Sequence, residues 1–138
     1  MCLLDRVDHW NETSLQCRAH SHRDPDNPLR AHGRLAAACG IEYAAQAMAI
    51  HGALLAVEDS PPNRGYLTSV RSVYLHVASL DTLEADLQIT AERLSGDENN
   101  VLYQFSVAAA GQLLLAGRAS VVLDAGARRS VFSGIAQP

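Results

Sequence analysis

From Leu35 to Ala56 the chain carries a single Asp, Glu, Lys or Arg side chain, Glu42, with Ala38, Cys39, Ala45 and Ala49 beside it at helical offsets of three, four and seven. A carboxylate in so apolar a stretch is costly to bury, so Glu42 is the residue expected to do chemistry. A carboxyl group in apolar surroundings holds its proton to higher pH than one in water and can serve as a general acid. The plainer alternative is a helix glutamate paired with an arginine. Gln46 follows one turn later on the same face, placed either to hold Glu42 by a hydrogen bond or to satisfy a buried polar contact of its own. Just upstream, Ala37, Ala38 and Cys39 would open the helix, where backbone N–H groups and the positive dipole end suit a polarised carbonyl oxygen. Ala38 and Cys39 are therefore candidate substrate contacts.

Other chemistries have weaker support. Cys39 with His32 could form a nucleophilic pair, but no third group orients the histidine. His20, His22 and His32, with Asp24 and Asp26, could hold a metal, yet their spacing fixes no geometry. His51 stands nine residues after Glu42, on the opposite side of a helix, and reads as structural. His20 and His76 alternate within strands without an evident partner, and His9 at a strand end faces solvent. Arg23, Arg30 and Arg34, with Arg64 and Arg71 elsewhere, are either a solvated surface or a patch that would steer an acidic partner.

These residues need a scaffold, and composition bounds it. The length of 138 residues suits one domain. With 48% hydrophobic and 19% charged residues the balance is that of an ordinary soluble protein. Aromatics at 5% leave the core to Ala, Leu, Val and Ile. A net charge of −4 argues against a nucleic-acid binder. No apolar run of about 18 residues is long enough to span a membrane, and the opening MCLLDRVDHW lacks the pattern of a signal peptide. Cys2, Cys17 and Cys39 form an odd set without C-x-x-C spacing, which reads as buried reduced thiols in a cytoplasmic protein.

The pattern of elements follows from periodicity. Cys2 to Trp10 and Ser14 to His20 read as a hairpin of two strands. Residues 21–35, rich in Pro, Gly, Asp and Asn, form a long loop, and loops of that length inside a domain are usually functional. Ala36 to Glu58 is the one helix, apolar nearly all round and weakened locally by Gly52. A turn at Ser60–Gly65 leads to four strands near Tyr66–Ser79, Leu83–Ser95, Asn100–Ala109 and Gln112–Leu123, with hairpin turns at Gly96–Asn99 and Ala110–Gln112. Residues 1–124 form the domain, and 125–138 a loosely ordered tail. Consecutive strands with short turns imply an antiparallel sheet, and one apolar helix needs wrapping, so the expected class is α+β, a curved sheet around a central helix. The helix needs more cover than one sheet supplies, and the sheet has open edges; both point to a dimer.

That order resembles the hot-dog fold. The segment Gly40-Ile41-Glu42-Tyr43-Ala44-Ala45-Gln46-Ala47 is similar to the helix of FabZ-type and FabA-type 3-hydroxyacyl-acyl-carrier-protein dehydratases, in which a carboxylate is followed at the third and fourth positions by Ala-Gln. The LLDRV opening and the GIEYAAQ helix resemble in particular the dehydratase-like proteins of aryl polyene and related polyketide clusters. The resemblance covers about residues 2–124.

It implies dehydration of a 3-hydroxyacyl thioester, with Glu42 as acid, a loop histidine as base, and N–H donors on the thioester oxygen. It implies no cofactor, because the phosphopantetheine arm belongs to the acyl carrier protein, the expected partner. It also implies sites at a dimer interface, Glu42 from one subunit meeting the histidine of the other. The chain departs from the family at that histidine. The H-F-P-G motif is absent, and the position fourteen residues before Glu42 is Pro28. Aligning Asn27-Pro28-Leu29 brings His32 near the catalytic slot, with His22 the rival. Two alternatives stay open: an acyl thioesterase, which the fold alone does not separate from a dehydratase, and, on the missing motif, a non-catalytic partner in a heteromeric dehydratase.

Overall fold

The computed structural model describes residues 2–55, 65–97 and 100–123. Six antiparallel strands form one sheet: β1 (Arg6–Trp10), β2 (Ser14–Ala19), β3 (Gly65–Leu75), β4 (Leu87–Gly96), β5 (Asn100–Ala109) and β6 (Gln112–Leu123), in the order β1-β2-β4-β5-β6-β3. Between β2 and β3 a 3-10 turn, Ala37–Cys39, runs into the helix α1, Gly40–Leu55. No helix among the described residues is long and apolar enough to cross a membrane.

Period-2 alternation makes the sheet two-faced. Leu15 faces Ala91 and Ala91 faces Phe105; Cys17, Ile89 and Val107 form the next row, and Ala19, Leu87 and Ala109 the one after. All nine side chains are buried. On these rows lies the face of α1 that carries Tyr43, Ala44, Ala47, Met48 and His51. Gly40 seats the start of the helix: a Cβ there would stand 2.6 Å from Leu115 Cδ2. A hairpin turn expected at Ala110–Gln112 is present between β5 and β6 and takes two residues, Ala110 and Gly111, at φ 51° and 78°.

Two polar ties hold buried polar side chains of the helix. His51 bonds Tyr103 Oη at 2.8 Å and the Asn11 carbonyl at 2.9 Å, the structural role expected of it. The Tyr43 hydroxyl lies 2.7 Å from Ser21 Oγ and accepts from Asn27 Nδ2 at 3.1 Å, tying the long loop to the helix.

The expected boundaries shift where backbone groups find partners outside the sheet. β1 begins at Arg6 rather than Cys2, because the Leu3 N–H goes to Gln46 Oε1 and the Leu3 carbonyl accepts from Ser21 Oγ. Val7 is exposed, while Leu3 and Leu4 enter the core. β3 ends at Leu75 and β4 starts at Leu87, because after His76, whose N–H still reaches the Leu114 carbonyl, residues 78–80 pair with the segment 35–37 instead. The Leu80 N–H donates to the Leu35 carbonyl, the Ala37 N–H to the Ala78 carbonyl, and Ala36 bridges Ser79. The helix proper starts at Gly40, since the backbone from Ala37 to Cys39 winds as a 3-10 turn with no side-chain cap. The expected turn at 60–64 and the tail at 125–138 lie outside the described residues.

The two glycines of α1 should respond oppositely to alanine. Gly40→Ala drives its methyl against buried Leu115 and is expected to cost about 1–3 kcal/mol. Gly52→Ala, whose methyl meets nothing within 4 Å, is expected to stabilise by up to about 1 kcal/mol. Urea midpoints of the two variants check both, and a shared direction would contradict this packing.

Candidate active site

Glu42 sits in the first turn of α1. The helix turns its buried residues onto the sheet, so the opposite side points outward: Ala38, Glu42 and Ala49 are exposed and Ala45 is half-buried. The apolar neighbourhood expected around Glu42 is therefore present, but the burial is not. One sheet covers one side of a helix, and among the described residues Ala38, Glu42 and Ala49 stay exposed on the other.

Gln46 does not belong to that outward face alone. Its Oε1 accepts the Leu3 N–H at 2.8 Å, fastening the segment before β1 to the helix. The 3-10 turn offers less to a ligand than the sequence suggested. Ala37 donates to the Ala78 carbonyl and Cys39 to the Ala36 carbonyl, so both N–H groups are used within the chain. Ala38 is the exposed residue of the three. The Cys39 thiol is half-buried and contacts the Leu29 carbonyl at 3.8 Å, packing the loop against the helix start.

His32 occupies the tip of a tight hairpin. Ala31 and Arg34 exchange both backbone hydrogen bonds, at 2.9 and 3.0 Å, leaving His32 and Gly33 as the two turn residues with φ of 54° and 77°. Such a turn asks for left-handed backbone at both positions, natural for glycine and uncommon for other residues. Arg30 braces it by donating to the Gly33 carbonyl. Arg34 donates to Asp81 at 2.9 Å and to Ser79 at 2.7 Å. Asp81 also accepts the Leu35 N–H at 2.9 Å; that bond, with Arg34, holds its carboxyl below the usual carboxylate range. His32 is thereby displayed to solvent on a firmly held loop. No hydrogen bond joins it to Glu42.

His22 is placed quite differently. It is fully buried, with Nε2 at 2.9 Å from the Leu83 carbonyl and Nδ1 without a partner. Burial lowers its pKa. A ring so enclosed braces the loop and is not displayed to a substrate. The remaining expectations divide. His20 is not partnerless: it contacts Asp5 through its ring and its backbone N–H. His9 faces solvent as expected. Of the thiols, Cys17 alone is buried, its pKa pushed up to about 11 by burial; Cys2 is exposed. The arginine cluster is largely committed. Arg23 binds the Glu84 carbonyl and Asp86, Arg30 the carbonyls of Asp24, Gly33 and His22, and Arg34 Asp81. Arg64 lies outside the described residues.

Sequence reasoning missed Tyr43, Asn27 and Asp81 as supports of this region. Tyr43 carried a usable signal, since a hydroxyl in an alanine-rich buried helix needs a partner. Asp81 carried none, because its partners are 46 and 47 residues away in the chain.

A six-stranded antiparallel sheet in this order, laid against one helix whose first turn carries an outward carboxylate, is a hot-dog domain. Over residues 1–130 the sequence matches the ApeP-like family, described as ApeP dehydratase, and the chain belongs to that family. Among solved structures it is similar to the dehydratase heterocomplex ApeI:P from Xenorhabdus doucetiae, with a TM-score of 0.82 and 21% identity over 99% of this chain and 90% of that one. It is similar also to a mutant thioesterase from Pseudomonas aeruginosa (TM-score 0.64, 12% identity, 86% and 79% covered) and to a thioesterase from Haemophilus influenzae (0.62, 12%, 85% and 76%). At these identities the structural likeness establishes the fold alone. No curated protein matches the sequence.

The depressed pKa of His22 has a consequence for the loop. The folded state favours the neutral ring, so the stability it confers is present above the ordinary histidine pKa of about 6.5 and is lost as pH falls from there through the lower folded value. His22→Gln is expected to flatten the fall of the urea midpoint on acidification from about pH 7 to 5. An unchanged slope would assign the acid sensitivity to other groups.

Proposed function

We propose that the chain is the working subunit, or one of two, of a dehydratase acting on 3-hydroxyacyl thioesters carried by an acyl carrier protein. The carrying observation is the lone carboxylate, Glu42, in the first turn of the hot-dog helix on an apolar face that the described residues leave exposed. Covering that face with a second hot-dog subunit would take Glu42 out of water, where a carboxyl keeps its proton and can give it up as a general acid. Membership of the dehydratase family supports the reaction class, and the heterocomplex formed by a similar protein supports a paired arrangement.

In this reading a base takes the C2 proton of the acyl chain, and its electron pair forms the C2–C3 double bond. The C3 hydroxyl leaves as water with a proton from Glu42. Charge building on the thioester oxygen would be met by N–H groups at the helix start, Ala38 foremost and Cys39 beside it as a wall contact. His32 is the base proposed: it is exposed, on a braced turn, and held in a conformation that the fold would find easier with glycine or asparagine. Because it belongs to one loop and Glu42 to an outward helix face, the two would meet between subunits. Gln46 would act on the site through the Leu3 segment it holds.

The test is turnover of a 3-hydroxyacyl carrier protein, with mass spectrometry of the enoyl product, by the chain alone and with its co-purified partner. Glu42→Gln is expected to lower turnover by about 10²–10⁴-fold. The proper change at position 32 is His32→Asn, which keeps the left-handed preference that alanine would lose, and a similar fall is expected with stability unchanged. Activity surviving Glu42→Gln would refute the proposed acid. Release of free acid would make the protein a thioesterase, and turnover that needs only the partner's residues would make it a supporting subunit.

A further inference from the structure

Strands β3, β5 and β6 carry only two charged side chains between them, Arg71 and Arg118. The two stand directly opposite each other in the ladder, on the sheet face turned away from the helix, and both are exposed. Like charges so placed repel. Other arginines of the chain are answered: Arg6, Arg18, Arg23 and Arg34 each hold a carboxylate, and Arg30 binds carbonyls. Along the row of Arg118 come Gln104 and then Glu92, two strands and about 10 Å away. Among the described residues, the side chains of Arg71, Arg118 and Gln104 make no hydrogen bond or ion pair.

The backbone of β3 adds an aromatic ring to this pair. Regular alternation from Arg71 would send Val73 outward and Tyr74 into the core. Instead the register shifts between Arg71 and Tyr74, so that Ser72 and Val73 together oppose Gly117, with Ser72 at φ 55°. Val73 thereby packs against the core beside Gly117. Tyr74 comes out on the face of Arg71, opposite Ala116 and 64% exposed. Left-handed backbone is uncommon for serine, and bulges re-aim side chains next to functional sites.

We propose that Arg71 and Arg118, with Gln104, bind a doubly charged phosphate group, and that Tyr74 favours a phosphate ester carrying an aromatic ring, as in a nucleoside monophosphate. Each guanidinium can donate a pair of N–H bonds to phosphate oxygens. A dianion between them replaces one repulsion by two attractions, and the Gln104 amide adds a neutral donor. The Tyr74 ring offers a flat face on which an aromatic group can stack. This face of the sheet is the one α1 does not touch, so the proposal is independent of the reaction assigned to Glu42.

The experiment titrates the full chain with adenosine 5′-monophosphate, inorganic phosphate and adenosine, at about pH 8 so that phosphate esters are dianions. Binding is followed by amide chemical shifts. Saturating shifts at Arg71, Tyr74, Gln104 and Arg118 are expected with both phosphates and not with adenosine, the nucleotide binding about fivefold tighter than phosphate. Arg71→Gln with Arg118→Gln should weaken both at least about tenfold, as should raising salt from about 50 to about 500 mM. Tyr74→Ser should remove only the advantage of the nucleotide. The glutamine pair, relieved of the repulsion, should keep a urea midpoint no lower than wild type, which separates lost binding from lost fold. Should that variant not fold, the salt dependence and Tyr74→Ser decide. No saturable shift below about 20 mM phosphate, an affinity that neither salt nor the glutamines change, or adenosine binding as tightly as its phosphate would overturn the proposal. A nucleotide no tighter than phosphate would overturn the part given to Tyr74.

Discussion

A single sheet can cover only one side of a single helix, and most of what is distinctive here follows from that limit. The alanine-rich helix is apolar nearly all round, yet Tyr43, Ala44, Ala47, Met48 and His51 exhaust the cover that six strands provide. Ala38, Ala49 and Leu54 remain outside with Glu42 among them. A carboxylate at such a place is harmless in a lone chain and becomes consequential when something apolar closes over it, since loss of solvent is what turns an ordinary carboxyl into an acid useful near neutrality.

The second organising feature is the seam between the loop at 21–35 and the connection at 76–86. Neither segment is regular, so their backbone groups need partners, and they largely find them in each other and in side chains. Asp81 takes the Leu35 N–H and Arg34, His22 takes the Leu83 carbonyl, and Tyr43 with Ser21 and Asn27 anchors the loop to the helix. A loop so fixed can maintain His32 at positive φ on its tip. Where a fold over-determines an uncommon conformation, function is the natural hypothesis.

Much of this was legible in the sequence. Alternation placed β5 and β6 to the residue, and the Ala-Gly pair gave the turn between them, because both signals are local. The helix and the structural role of His51 were readable from spacing alone. The exposure of Glu42 was not. An apolar run shows that cover is wanted, not whether the same chain supplies it. The limits of β1, β3 and β4 were missed for a related reason: Gln46, Ser21 and Leu35 draw backbone groups out of the ladder from far along the chain. The arginines show the same limit. Arg23, Arg30 and Arg34 could be read as a solvated surface or as a steering patch, and their partners, carboxylates and carbonyls, are visible only in the fold.

The claim on which the rest turns is that a partner subunit closes over the outward helix face. Carbodiimide labelling of carboxyl groups, read by mass spectrometry at Glu42 in the dilute single chain and in the assembled complex, tests it directly. The account requires ready labelling of Glu42 in the first and strong protection in the second, with exposed Glu12 labelled alike in both as the reference. Equal labelling of Glu42 in the two states would mean that the partner binds elsewhere and that this carboxylate is a surface residue.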